Sequence, residues 1–466
     1  MPASWTSGNQ NGVDLHIDPS RRSATDLAAA LRAAVRDGRL ITGAALPSTR
    51  ALGADLGIAR GTVTAAYSQL AAEGYLVVRH GAPTRVADVQ QLPQARLAPA
   101  THTSSGPTAG WTFTHNLLPG LPDVSAFPRD AWAASIRRAL ATAPHDTFGY
   151  PDRLGHPALR RALAAYLGRA RGVLADPEHV VVGPGFTAMI ALWARAVRSY
   201  GVTAVTVEDP FLPHLHRAVE TAGIDVTGAP VDHDGVQVAA ITTRGAVLTP
   251  AHQYPLGHTL APTRRAALAR RAAAHDMQIL EDDYDGEFRF DRRPVGALQA
   301  LAPDHITYGG TASKALAPGL RLAWMVVPQR LLPHIRDHAA AAGMPVPVID
   351  QLALADILDT GAYDKQVRRM RGRYRARRDA LVEAVAPLGY DPDGIAAGLH
   401  LLLPLGAGGE PAAAAAAKRH RLGIDLLGRH SITLPHPDGL LVGFGAPTDH
   451  AYPAALDALV AVLRAL

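Results

Sequence analysis

Residues 88–112 hold Pro93, Pro99 and Pro107 together with a cluster of Thr, Ser and Gly. A stretch of that composition is semi-extended and poorly able to bury a core, so it reads as a linker. It divides the chain into a short segment, 13–87, and a long one, 113–466. At 466 residues the chain exceeds an ordinary single domain, and two or three are expected. In the short segment, helical patterns end in brief β-like runs. In the long one, helical patterns alternate with apolar runs at 179–183, 204–209, 245–250, 277–283 and 321–328. That alternation predicts an α/β fold with a mainly parallel sheet.

Composition narrows the classes. Hydrophobic residues make up 48% of the chain, enough for a sizeable core. No apolar run reaches the roughly 18 residues of a membrane span. The first residues show no basic stretch followed by an apolar one, so no secretion signal is expected. There are no cysteines, which excludes disulfides and thiolate metal sites and suits a cytoplasmic location. The net charge of +5 is weak support for DNA binding. Of 46 basic Lys and Arg residues, only Lys314, Lys365 and Lys418 are lysines. Chemistry that needs a lysine amine therefore has three candidates.

In the short segment, Leu27, Ala30, Leu31, Ala34 and Val35 share a helical face that Gly38 terminates. Ser48 is placed to cap a second helix and Gly57 to stop it. A third follows, with Val63, Ala66, Tyr67 and Leu70 at helical spacing. YLVVRHGAPTRVA then alternates and turns at Gly81–Pro83, as a two-stranded wing does. Helix, tight turn, helix and wing suit a reader of the major groove; the plainer alternative is a small helical cap with surface arginines. LPSTRALGADLGIARGTVTAAYSQLAAEGYLVVRHGAPTRV (46–86) resembles the GntR family of winged-helix regulators. The resemblance implies operator contacts from Arg50, Arg60, Thr62 and Gly81, with Arg79 in the wing. Thr64 stands where relatives sometimes have a further Arg, and it joins the DNA-facing set. Arg can grip guanine or phosphate, Thr can bond phosphate, and a Gly-tipped wing can approach the minor groove.

Three clusters carry chemistry in the long segment. YGGTASKALAPGLRLAW (308–324) sets Lys314 among small, turn-forming residues. An aldehyde cofactor needs such a lysine for a Schiff base, with hydroxyls and an arginine for its phosphate. Thr311, Ser313 and Arg321 fit those roles. ILEDDYDGEF (279–288) brings Asp282 to the carboxyl end of a strand, where ligands sit in open sheets. A carboxylate there can keep a pyridine nitrogen protonated, and Tyr284 lies two residues on. The competing reading is a metal site of Glu281, Asp282, Asp283 and Asp285, which the alternation of strand side chains disfavours. VVVGPGFTAMIALW (180–193) is a strand, a Gly turn and a helix. Its N–H groups at Gly185, Phe186 and Thr187 could receive a phosphate.

Together these clusters resemble the fold-type-I aminotransferase family, in particular the MocR-type regulators that fuse it to a GntR domain. PGLPDVSAFPRDAW (119–132), FGYPDRLGHPALRRALAAYLGRARGV (148–173), TPAHQYPLG (249–257) and AAGLHLLLPL (396–405) extend the likeness. It implies a winged helix-turn-helix domain followed by a large parallel-sheet domain and a small C-terminal α+β subdomain, binding pyridoxal 5'-phosphate (PLP). Lys314 would form the internal aldimine and Asp282 would partner the pyridine nitrogen. Tyr284 would bond the ring oxygen, with His252 or Gln253 near it, and Arg321 would bind the phosphate. Homodimerisation, which pairs two winged helices with two operator half-sites, is implied as well.

Two departures matter. Leu212 stands where many relatives place a tyrosine that stacks on the ring, and Phe211 is its possible substitute. Leu441 replaces the arginine that clamps a substrate carboxylate in many aminotransferases. A regulator sensing PLP, or an amine that reacts with it, is therefore expected over a working aminotransferase or a cofactor-free dimerisation module. KQVRRMRGRYRARRD (365–379), with seven arginines, reads as an exposed helix in preference to a phosphate-tracking surface.

Overall fold

The computed structural model describes residues 23–79, 81–88, 113–290, 295–343 and 346–466. The stretch read as a linker, apart from Asp88, and the start of the first segment at 13–22 lie outside the described residues. The chain divides into two compact units, Met1–His102 and Thr103–Leu466.

In the N-terminal unit, α1 (Ala24–Arg36) is capped by Ser23, whose hydroxyl accepts the Asp26 N–H at 3.1 Å. α2 (Thr49–Leu56) is capped by Ser48 and stopped by Gly57 at φ +62, and α3 (Arg60–Ala72) follows after two residues. β1 (Leu76–Val77) and β2 (Arg85–Val86) pair antiparallel as a short wing. Leu27, Leu31, Val35, Leu52, Val63, Tyr67, Leu70, Leu76 and Val86 build one core from all five elements. One expected position shifts: Ala28, not Ala30, completes the buried face of α1. Tyr67 donates its hydroxyl to the Pro47 carbonyl at 2.9 Å, tying α3 to the approach of α2.

The C-terminal unit opens with β3 (His115–Asn116), α4 (Arg129–Thr142) and α5 (Pro157–Arg171), and then alternates strands and helices. The order is β4 (Val180–Gly183), α6 (Phe186–Ser199), β5 (Ala204–Asp209), α7 (Pro213–Glu220), β6 (Asp225–Asp232), β7 (Gly235–Val236), β8 (Gly245–Leu248), α8 (Pro262–Ala274), β9 (Gln278–Asp282), β10 (Ile306–Thr311) and β11 (Ala323–Val326). These strands form one sheet in the order β4-β11-β10-β9-β8-β5-β6-β7. The run β10-β9-β8-β5-β6 is parallel, while β11 lies antiparallel to both neighbours.

Burial on both faces explains the near-continuous apolar strands. On one face α6 packs Met189, Ile190 and Trp193 against Val205, Val247, Leu280 and Met325. On the other α8 packs Leu268 and Ala272 against Ala246, Leu248 and Ile279. Because strand side chains alternate, Asp282 shares the α6 side with Leu280, and Glu281 shares the α8 side with Ile279.

After the sheet come α9 (Leu332–Ala342), α10 (Val348–Asp359) and the long α11 (Ala362–Val385). β12 (His400–Pro404), α12 (Gly409–Arg419), β13 (Leu422–Gly423), β14 (Asp425–Leu426), β15 (Gly439–Gly443) and α13 (Tyr452–Leu463) form a smaller α+β portion. Its sheet order is β12-β14 on either side of β15, and β13 pairs with β3. Much of the arginine-rich α11 is tied down. Arg373 and Arg377 bond Asp123 at 3.0 Å. Arg369 and Arg371 donate to the Ala126 and Glu287 carbonyls. The helix is therefore not simply exposed: Tyr363, Met370, Tyr374, Arg377 and Leu381 form a buried face, and only the opposite side meets solvent. Among the described residues no helix is long and apolar enough to cross a membrane.

Candidate cofactor and DNA-binding sites

The carboxyl ends of the parallel strands gather the predicted residues. Asp282, the last residue of β9, is 3% exposed, and its Oδ1 has no hydrogen-bond partner. Burial, reinforced by Asp283, holds its carboxyl well above the usual range. An orphaned buried carboxylate oxygen is costly, and this site presents one on the α6 face.

Lys314 lies three residues beyond β10, and its Nζ donates to the Gly120 carbonyl at 2.6 Å. Burial lowers its pKa, while Asp285 and Asp282 pull it back up. A larger fraction of the amine is then the neutral nucleophile at a given pH.

Asp285 emerges as a partner that motif reading placed only in the rival metal set. Its Oδ2 lies 2.8 Å from His252 Nδ1, and both groups are buried. A carboxylate only accepts, so the proton sits on Nδ1. The Tyr284 hydroxyl lies 3.1 Å from the same nitrogen. His252 thus joins the cluster, whereas Gln253 is spent elsewhere. Its amide donates to the Pro210 and Tyr254 carbonyls and accepts the Leu256 N–H.

Arg321 adopts φ +53 after a single 3-10 turn. Its guanidinium lies so close over Gly185 that a Cβ there would be 2.5 Å from Cζ. Gly185, at φ +97, is the N-cap of α6 and supplies no capping side chain. The first N–H groups of the helix at Phe186 and Thr187 have no intrahelical acceptor. Helix N-terminus and guanidinium therefore form one cradle for an anion. The Phe186 ring fills the space over Gly309, where a Cβ would meet it at 2.7 Å. Thr311 and Ser313 share a hydrogen bond of 2.8 Å between their hydroxyls beside Lys314.

The acidic run does not converge on a metal. Glu281 accepts the Leu298 and Gln299 N–H groups, Asp283 pairs with Arg171 at 2.6 Å, and Asp285 serves His252. Among the described residues no group of three metal-ligating side chains forms. Phe211 is 1% exposed within the apolar core under α6, and Leu212 packs at its margin. Leu441 is fully buried with Leu402 and Leu427, against Leu256.

In the N-terminal unit, Arg60 is the first residue of α3, exposed, with Nε 3.4 Å from the Thr49 hydroxyl. Ala59 caps that helix without a side-chain bond, leaving its N-terminus open to phosphate. Arg50, Thr64 and Arg79 are exposed, and Thr62 is half-exposed. Gly81 turns the wing at φ +76. The Thr64 hydroxyl donates to the Arg60 carbonyl at 3.0 Å, so it braces its own helix.

A DNA-reading module and an aminotransferase-type unit thus occupy one chain. The family described as bacterial regulatory proteins, gntR family, matches residues 23–86, and aminotransferase class I and II matches 119–435. The chain belongs to the MocR-type regulators, which combine those two families. Among curated relatives, the HTH-type pyridoxine biosynthesis transcriptional regulator PdxR of Corynebacterium glutamicum is 33% identical over 78% of this chain and 79% of its own. The probable rhizopine catabolism regulatory protein MocR of Rhizobium meliloti is 34% identical over 76% and 75%. Among solved structures, an archaeal alanine:glyoxylate aminotransferase superposes with a TM-score of 0.69 at 23% identity, over 76% of this chain and 91% of that one. That likeness establishes fold type I for the C-terminal unit.

Proposed function

We propose that this chain is a DNA-binding transcription regulator that responds to PLP, or to an amine that meets PLP at Lys314. The observation that carries the reading is the buried, partnerless Oδ1 of Asp282 on β9, in register with Gly309 of β10, the strand that leads to Lys314. A pyridine N–H is a donor that would satisfy it. The Gly185–Arg321 cradle suits a phosphate, so the residues present fit the group. When bound, PLP supplies an aldehyde that condenses with a primary amine and a ring that withdraws electrons. The chain's part is to hold and orient. Asp282 accepts from the ring nitrogen, and Tyr284, set beside His252 and Asp285, addresses the ring oxygen. Arg321, Ser313, Thr311 and the start of α6 hold the dianion. Gly185→Ala would push a methyl group into Arg321 at a positive-φ position. Strain of about 1–3 kcal/mol is expected to weaken PLP binding by roughly 5- to 150-fold, read by titrating the cofactor's absorbance.

Arg50, Arg60, Thr62, Thr64, Arg79 and Gly81 form the proposed operator face, on double-stranded DNA. A homodimer would present two such faces. Exposed Phe148 and Tyr150, with Leu121, Val124 and Leu140, give the C-terminal unit apolar surface for it. Binding at Lys314 would shift the equilibrium between arrangements with different DNA affinity. The test is a gel-shift titration at fixed salt. Arg60→Ala is expected to lose about 1–3 kcal/mol of operator binding and to keep the PLP absorbance band. Unchanged operator affinity would remove Arg60 from the reading face.

A further inference from the structure

Resting on the operator reading above, we propose that Thr64 and Ala65 read the 5-methyl group of thymine in the major groove, and that Gly61 is left bare so that α3 can approach the base edges closely enough to do so.

One face of α3 is committed to the fold. Val63, Ala66, Tyr67 and Leu70 pack into the core of the N-terminal unit. At 3.6 residues per turn, Gly61, Ala65 and Ser68 lie opposite them, and Thr64 lies between that strip and Arg60. All of these outward residues are exposed. None of the residues in the strip is longer than threonine. The longer side chain at its other margin is taken: Gln69 Nε2 donates to Glu73 Oε1 at 2.9 Å, and Glu73 is paired in turn with Arg32. Short side chains touch a base edge only where the helix itself lies close to it.

Gly61 points the same way. It is the second residue of α3, inside helical backbone. A Cβ there would meet nothing within 4 Å among the described residues. Neither packing nor backbone conformation therefore calls for glycine, which is a poorer helix former than alanine. The space it leaves is of use to a molecule seated against the strip.

The groups bordering that space are apolar. The Thr64 hydroxyl donates to the Arg60 carbonyl at 3.0 Å, so its proton is spent within the helix and its methyl is the group left unengaged. Ala65 offers only a methyl. Two methyl groups beside a bare glycine supply no hydrogen-bond donor to a base edge. In the major groove thymine alone presents a methyl group, and Ala or Thr methyls contact it.

The experiment uses the full-length protein and a random-sequence duplex pool, from which the tightest-binding sequence is selected as the probe. Each thymine of the probe is replaced singly by deoxyuridine, which keeps every base-pairing group and lacks only the methyl. At least one replacement is expected to weaken wild-type binding by about 4-fold, the value of one buried methyl-sized group. Thr64→Ser or Ala65→Gly is expected to bring that penalty to within about 2-fold. Thr64→Val, which keeps a methyl and loses the hydroxyl, is expected to retain it. Gly61→Ala is expected to keep or raise Tm while weakening probe binding about 5-fold or more, because a methyl group is forced into a close contact. A probe without thymine, no penalty at any deoxyuridine, a penalty unchanged in both Thr64→Ser and Ala65→Gly, or undiminished binding by Gly61→Ala overturns the proposal and leaves the operator reading in place. A wild type that enriches no sequence at all removes the operator reading as well.

Discussion

Lys314→Ala is expected to abolish the absorbance band that wild-type protein acquires with PLP, and with it the stabilisation that PLP confers. At PLP concentrations 100 times its Kd, a ligand that binds only the folded state adds about 2.7 kcal/mol, a rise of several degrees in Tm for a unit of this size. The alanine variant should gain little of this. The same variant should remain folded, because Lys314 is held by a single bond to the Gly120 carbonyl and contributes nothing to the apolar cores. Lys365 and Lys418 are exposed on α11 and α12, so neither offers a comparable buried amine. Equal bands in the two proteins would end the cofactor claim.

Asp282→Asn is expected to act in opposite directions on stability and on binding. The folded-state pKa of Asp282 is raised by burial. The group therefore favours folding below its unfolded pKa, and that contribution is lost as pH rises toward the folded value. At pH 8 the wild-type carboxylate is a buried, incompletely partnered group. Removing the ionisable carboxyl should stabilise cofactor-free protein by about 1–3 kcal/mol, with a smaller gain at pH 5. Binding should move the other way. A hydrogen bond to a charged group contributes about 1.5–3 kcal/mol, so PLP affinity should fall roughly 10- to 150-fold. Thermal melts at the two pH values, with and without PLP, read both effects. A variant no more stable than wild type at pH 8 would show that Asp282 already has its partner in the free protein.

Much of the fold was legible in the sequence because its signals are local. β4, β5, β8, β9 and β11 are short apolar runs since both their faces are covered. Ser48 and Gly57 mark the ends of α2 through the backbone they satisfy. β6 escaped notice: it lies near the sheet edge, half-exposed, and carries Gly228 and Pro230. Lys314, Asp282, Tyr284 and Arg321 could be singled out from their neighbours in sequence. The role of Asp285 could not, because it depends on His252, 33 residues away. Choosing between His252 and Gln253 likewise needed the loop geometry that consumes the glutamine amide.

The bond between Lys314 and Gly120 joins positions 194 residues apart. Gly120 belongs to the first stretch of described chain after the connecting segment, between β3 and α4. The reactive nitrogen is therefore also a clasp. Anything that claims its protons must compete with a backbone carbonyl, and success leaves that carbonyl to find another donor. Occupancy of one side chain is thus felt at once by the backbone between β3 and α4.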